Sequence, residues 1–126
     1  MKLEKRIENI EKELAEIKKS LIEDIKWTRI GDLEWSSDLG EMNWHKAMAK
    51  AKDLGARVPT RIELIDLYDS HHEEMETLIE DSTSYNSWSA TEGPGTNAWY
   101  VSLSSGYTYD YNKTFTNQLL VVREAR

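Results

Sequence analysis

The chain of 126 residues contains no cysteine, two prolines and a single phenylalanine. Without cysteine there is no disulfide framework, no thiolate nucleophile and no Cys-based zinc or iron–sulfur site. Basic charge is also short: 16 Lys and Arg stand against 23 Asp and Glu, a formal net charge of −7. A nucleic-acid binder needs a basic face, so no nucleic-acid partner is expected. No apolar run approaches the roughly 20 residues of a membrane span. Charge recurs from Lys2 onward, so no signal-peptide apolar block is expected there. The expectation is a soluble chain, cytoplasmic or carried to a virion or cell surface by a non-classical route.

What is present falls into three blocks. Residues 1–26 hold seven basic and seven acidic groups, residues 27–81 six and thirteen, and residues 82–126 three of each. The whole negative balance therefore belongs to the middle block. In 82–117, Ser, Thr, Asn and Tyr fill 22 of 36 positions, and only Glu92, Asp110 and Lys113 are charged.

In the first block, Leu3, Ile7, Ile10, Leu14, Ile17 and Leu21 follow the 4-3-4-3-4 spacing of a heptad repeat. Ile7, Leu14 and Leu21 take position a, and Leu3, Ile10 and Ile17 take position d. In parallel chains Arg6 then faces Glu11, and Glu13 faces Lys18, each pair opposite in sign. Leu at a with Ile at d disfavours dimers. Residues 3–21 are thus expected to form a parallel homo-trimer or homo-tetramer; the alternative is one amphipathic helix packed on its own domain. The division expected is a coiled-coil oligomerisation helix over 1–26 and a globular domain over 27–126.

In the middle block, Gly31 breaks an apolar stretch between Trp27 and Trp35, which suits a turn between short strands. Trp44, Ala47, Met48, Ala51 and Leu54 carry helical spacing, with Asn43 placed to cap the start and Gly55 the end. Pro59 keeps the preceding residues extended. Thr60 and Glu63 form a T-x-x-E capping box that opens a second helix. His71-His72-Glu73-Glu74 invites a metal reading, but neighbours on a helix point about 100° apart and do not converge on one ion. A solvated acidic turn is the expectation there.

The last block is built of strand and turn formers. Ala98–Leu103 is the clearest strand, Gly93-Pro94-Gly95 is a turn, and Ser104-Ser105-Gly106 is a hairpin turn into residues 107–111. Alternation sets Tyr107, Tyr109 and Tyr111 on one face and Thr108 and Asp110 on the other. Such a tyrosine ladder is either structural, through cross-strand pairs, or a contact surface of the Tyr/Ser/Asn kind used by adaptable paratopes. Leu119–Val122 reads as a buried final strand. Trp35, Trp44, Trp88 and Trp99 read as scaffold, with Trp27 near the junction to the first block.

Leu33-Glu34-Trp35, Met42-Asn43-Trp44-His45-Lys46-Ala47 and Leu54–Leu64 resemble the opening half of the collagen-like-protein C-terminal domain family, a branch of the C-type lectin-like fold. Trp88-Ser89-Ala90-Thr91, Ala98-Trp99-Tyr100-Val101, Gly106–Lys113 and Val121-Val122-Arg123 resemble its closing half. The resemblance implies an α+β domain, two helices flanking small antiparallel sheets, with a ligand site on the second-half loops and strands. It does not imply calcium: sugar-binding C-type lectins use an Glu-Pro-Asn or Gln-Pro-Asp type loop and a Trp-Asn-Asp strand, and neither occurs here. In Gly93-Pro94-Gly95 glycines stand on either side of the proline where that loop type has its carboxylate and amide ligands, and the lectin disulfides are missing. The related sulfatase-activating enzymes depend on cysteines, which excludes that activity. A narrower resemblance is to the variable proteins of diversity-generating retroelements, in which adenine-directed mutagenesis of Asn codons yields Asn, Ser, Asp, Tyr, Thr and Gly, the vocabulary of residues 86–117.

The function expected is a ligand- or receptor-binding module, with a protein or surface ligand as partner and neither cofactor nor metal. Candidate contacts are Asn86, Glu92, Asn97, Ser102, Ser104, Tyr107, Tyr109, Asp110, Tyr111 and Asn112. Of these Asn97, Ser102, Ser104, Asn112 and the three tyrosines are expected to be exposed. A fibre-tip or assembly protein is the alternative. A hydrolase is the lesser one, because His45, His71, His72 and the scattered carboxylates pair no nucleophile with a base at a recognisable spacing.

Overall fold

Short stretches of alternating character join into two sheets, each closed by chain from the far end of the sequence. The structure, a computed structural model, describes residues 9–16 and 25–125. Residues 9–16 form a helix (α1) that is exposed on all sides, including Ile10 and Leu14. The remaining heptad positions, Leu3, Ile7, Ile17 and Leu21, lie outside the described residues.

Trp27–Ile30 (β1) and Leu33–Ser36 (β2) make the hairpin expected around Gly31. Val122–Glu124 (β8) pairs with β2 and completes a three-stranded antiparallel sheet in the order β1-β2-β8. A second sheet runs Glu41–Asn43 (β3), Thr116–Gln118 (β7), Asn86–Glu92 (β4), Asn97–Ser102 (β5) and Thr108–Asn112 (β6), in that spatial order. Its pairings are antiparallel except β4 with β7, which run parallel with Ser87 opposite Gln118. The architecture is α+β.

The helices start and stop where local chemistry dictates. Trp44–Asp53 (α2) is capped by the Asn43 side chain, which accepts from the Lys46 N–H at 2.9 Å. It ends at Leu54 and Gly55, whose φ of 68° is the left-handed value a helix terminus favours. Arg61–Ser70 (α3) opens on the full capping box of Thr60 and Glu63, and Glu63 also holds Arg57 through two bonds of 2.6 and 2.8 Å. The chain then breaks at His71 and resumes as His72–Leu78 (α4). His72, Glu73 and Glu74 are solvated, as expected, but they form the first turn of a further helix, so among the described residues the 27–126 block carries three helices instead of two.

Two apolar clusters fill the interior. Ile30, Trp35, Leu64, Leu67, Met75, Leu78, Val101, Leu103, Leu120 and Val122 belong to one. Trp44, Ala47, Ala51, Val58, Trp88, Ala98, Leu119 and Val121 belong to the other. The run 119–122, expected as a strand, corrects to a connection: only Val122 enters β8, while Leu119–Val121 cross from one sheet to the other. Alternation along it sends Leu119 and Val121 into one cluster and Leu120 and Val122 into its neighbour. All four are fully buried. The backbone of this link is satisfied by loop rather than ladder, since Leu119 donates to the Gly40 carbonyl and Val121 to the Ser36 hydroxyl, at 3.1 and 2.9 Å.

Candidate functional site

The hairpin β5–β6 decides which side chains meet. Its register pairs Tyr100 with Tyr109, Ala98 with Tyr111 and Trp99 with Asp110. On the β4 side Trp88 pairs with Tyr100 and Asn86 with Ser102. One face of these strands therefore carries Asn86, Trp88, Ala98, Tyr100, Ser102 and the three tyrosines, because paired residues point to the same side. The opposite face carries Ser87, Asn97, Trp99, Val101, Thr108, Asp110 and Asn112.

On the first face the rings touch in sequence. Tyr107 and Tyr109 lie 6.4 Å apart between centroids, Tyr109 and Tyr100 5.8 Å, Tyr100 and Tyr111 5.6 Å, and Tyr111 and Phe115 4.6 Å. Trp88, wholly buried, supports Tyr111 from behind at 6.4 Å and donates its indole N–H to the Met42 carbonyl at 2.8 Å. Tyr107, Tyr109, Tyr111 and Phe115 remain 65, 51, 39 and 51 % exposed. Burial, then the neighbouring phenols of Tyr109 and Tyr111, hold the Tyr100 hydroxyl above the usual tyrosine range. This strip is a rigid, uncharged aromatic surface with hydroxyls at its rim, chemistry that desolvates easily against a partner and still offers hydrogen bonds.

The ten candidate contacts do not form one site. Tyr107, Tyr109 and Tyr111 share the aromatic face. Ser102 shares it as well, but it corrects from exposed to buried: it is 8 % accessible, and its hydroxyl lies 3.0 Å from that of Ser104 in the hairpin turn. Asn86 is half-buried beside it. Asn97 and Asp110 sit on the reverse face, bonded to one another at 2.9 Å, and Asn97 is half-buried where exposure was expected. Asn112, also half-buried, is engaged in the β6–β7 turn: its Oδ1 accepts from the Thr114 N–H and hydroxyl at 2.9 and 2.8 Å. Glu92 is held by Lys113 at 2.7 Å, which keeps its carboxyl below the usual range, and the same ammonium lies 4.3 Å from the centroid of Trp44.

Sequence reasoning missed Tyr100 and Phe115. The turn at 104–106 fixes the register that brings Tyr100 opposite Tyr109, so that signal was available. Phe115 gave none, since it follows a polar turn and reaches Tyr111 only through the return of the chain into β7. Of the tryptophans, Trp35, Trp44 and Trp88 are buried as scaffold, whereas Trp99 is half-buried under the Arg61 guanidinium, 4.4 Å from its centroid.

A second concavity, about 450 Å³, opens between β1, β2 and α3 and is lined by Asp32, Arg57, Glu63, Asp66 and His71. Its central Arg57–Glu63 pair is already satisfied, and hydrogen bonding to Arg57 lowers the Glu63 carboxyl. Among the described residues no group of three or more His, Asp or Glu side chains is arranged to hold a metal ion, and none of the helices is long and apolar enough to cross a membrane. His45 stacks edge-on against Trp44, and no serine or threonine hydroxyl among the described residues bonds a histidine nitrogen.

No protein-family model matches the chain, and none of the curated proteins does. Solved structures do. Botrocetin superposes with a TM-score of 0.61 at 9 % identity, over 79 % of this chain and 96 % of that one. The carbohydrate-recognition domain of the mouse scavenger receptor C-type lectin gives 0.53 at 12 %, and its human counterpart 0.51 at 15 %, with the same coverage of each chain. At such identities the likeness lies in the path of the backbone. The chain adopts the C-type lectin-like fold.

Proposed function

We propose that this chain is a calcium-independent ligand-binding module that grips a protein or surface ligand with the aromatic face of β6. The observation that carries the reading is the row of four exposed rings, Tyr107, Tyr109, Tyr111 and Phe115, backed by Tyr100 and Trp88 on a neutral sheet. Soluble domains rarely leave contiguous aromatic surface in water without a partner for it. The scavenger receptor domains of the same fold are carbohydrate-recognition domains by name. The mode proposed here uses aromatic contact instead of a metal.

In this reading residues 1–26 are a parallel trimeric or tetrameric stalk and residues 27–126 the binding domain, belonging to the collagen-like-protein C-terminal branch of the fold. The heptad spacing and the exposure of Ile10 and Leu14 on α1 support it. Three or four weak sites on one stalk raise apparent affinity by about 10²–10⁴. The finer role is that of the variable protein of a diversity-generating retroelement, with Ser104, Tyr107, Tyr109 and Tyr111 as rewritten positions over a scaffold of Trp88, Trp99 and the final strand. The Asn, Ser, Tyr and Thr vocabulary of 86–117 supports that role.

Hydroxyl-radical footprinting of the full chain tests the binding reading. Tyr107, Tyr109 and Tyr111 are expected to be oxidised at equal rates in the assembled and the dissociated chain. Tyrosines protected only in the assembly would mean that this face joins copies together, and the chain would be an assembly protein. For the finer role, a near-copy of the coding region for 86–117 differing at adenines, beside a reverse-transcriptase gene, is the expected neighbourhood.

A further inference from the structure

Strand β6 is the outer strand of the five-stranded sheet, with β5 as its one strand neighbour among the described residues. Bonds from the Ser102 N–H to the Tyr107 carbonyl and from the Lys113 N–H to the Thr96 carbonyl bracket the β5–β6 ladder, at 2.8 and 3.0 Å. In an antiparallel pair the hydrogen-bonded positions alternate. Tyr109 and Tyr111 are therefore bonded to β5, and the N–H and C=O groups of Thr108 and Asp110 point outward along the free edge.

Natural sheets protect such edges with lysine, proline or a bulge. Between Tyr107 and Asn112 there is no lysine and no proline, and the register with β5 runs without a shift. The single charge is Asp110, whose second carboxylate oxygen accepts from Asn97 at 2.9 Å on the face away from the tyrosines. That charge acts against self-pairing. Antiparallel docking of two β6 edges must match outward residues with outward residues, and with Thr108 and Asp110 of both copies engaged the centre falls at 109 or 110. In each case the two Asp110 carboxylates are directly opposite or diagonal neighbours, an unfavourable cross-strand arrangement. A foreign strand with a cation at that place gains where a second copy loses.

We infer that the β6 edge takes up an extended peptide strand carrying Lys or Arg between two β-branched or aromatic residues, the cation opposite Asp110 and its neighbours over Tyr109 and Tyr111. Two outward residues supply four backbone hydrogen bonds, the aromatic face supplies side-chain contact, and Asp110 selects the charge. This rests on the reading of the tyrosine face as a contact surface and names what that surface recognises.

The test uses the full chain and two capped pentapeptides, Thr-Val-Lys-Val-Thr and Thr-Val-Glu-Val-Thr, with amide hydrogen exchange read residue by residue. The lysine peptide is expected to slow exchange at Thr108 and Asp110, leaving Tyr109 and Tyr111, already bonded to β5, unchanged. It is expected to bind about fivefold more tightly than the glutamate peptide, the size of one cross-strand charge pair. Asp110→Asn, which keeps an acceptor for Asn97, is expected to abolish that preference while protection of the Thr108 amide persists. Equal affinity of the two peptides for the unaltered chain, or saturation without protection at Thr108 and Asp110, overturns the inference. Protection of these amides in the peptide-free chain that grows with protein concentration overturns it in favour of a second copy. Tyrosines free in footprinting but edge amides unprotected by peptide would sink the edge alone; tyrosines buried between copies would sink the underlying reading.

Discussion

Residues 107–111 and 119–122 are both short alternating stretches, and they end in opposite environments. Along 119–122 each side chain enters one apolar cluster or the other, and every one is buried. Along 107–111 the reverse face is partly covered, and the tyrosines stand in water. Periodicity is the same in both, so it does not decide the outcome. What decides is the side chain: Leu and Val gain only from leaving water, whereas a phenol buried without a partner for its hydroxyl carries a desolvation cost. The difference teaches that a run of aliphatics joins two cores, while a run of tyrosines borders one.

The largest test of that contrast is truncation in the crossing. Leu120→Ala is expected to cost about 2–5 kcal/mol, read as a lower midpoint in chemical unfolding, because a rigid, fully buried site leaves a cavity. Leu119→Ala should fall in the same range. Their side chains enter different clusters, so despite their adjacency in the chain the double variant is expected to cost close to the sum of the two. A large coupling would mean that the two clusters act as one core.

Next comes the turn that aims the tyrosines. Gly106 has φ of 80°, and a Cβ there would stand 2.5 Å from the Tyr68 ring on α3. Gly106→Ala is expected to cost about 1–3 kcal/mol through backbone strain and that overlap. Adding Tyr68→Ala should return only the overlap. A variant as stable as the parent would show that the turn is not locked to α3.

A smaller effect comes from Glu63, which closes the α3 cap and grips Arg57. Its carboxyl is lowered, first by the hydrogen bond from Arg57 and then by the Thr60 N–H. A lowered folded value means that the charged form contributes stability above the ordinary carboxylate range, near pH 4.3, and that this is lost as pH falls through the folded value. Glu63→Gln keeps an acceptor for the cap but removes the charge. It is expected to be less stable than the parent by about 1 kcal/mol or less at pH 7, with the gap closing under acid. A gap that persists at pH 2 would assign the loss to packing.

These expectations follow how far the sequence could be read. The caps at Asn43 and Thr60, the left-handed Gly55, both hairpin turns and the shared face of the three tyrosines were legible, because each depends on residues a few positions apart. The parallel contact of β7 with β4 was not, since it joins residues about thirty apart with no local signature. The same contact explains three misses. It turns 119–122 into a crossing, brings Phe115 against Tyr111, and places Asn112 in a turn. Ser102 was misjudged because its composition suits a surface while its position faces Asn86 and Ser104. The split at His71 has no strong sequence mark; neither Gly nor Pro is present, and the break shows only in the packing of Met75 and Leu78 into the core.

The smallest expected effect on stability is at the tip of the ladder, and it bears most on the contrast. Tyr107 is the most exposed of the three tyrosines and has one ring neighbour, Tyr109. Tyr107→Ser removes that contact and little else, so its unfolding midpoint should move by no more than about 0.5 kcal/mol. Tyr111→Ser, which loses Trp88, Tyr100 and Phe115 together, should cost more, about 1 kcal/mol or somewhat above. A graded series from Tyr107 through Tyr109 to Tyr111 would mean that the face is anchored at Trp88 and free at its tip, as a surface kept for contact requires. Equal and large costs at all three would place the ladder with the aliphatic crossing, as part of what holds the domain together.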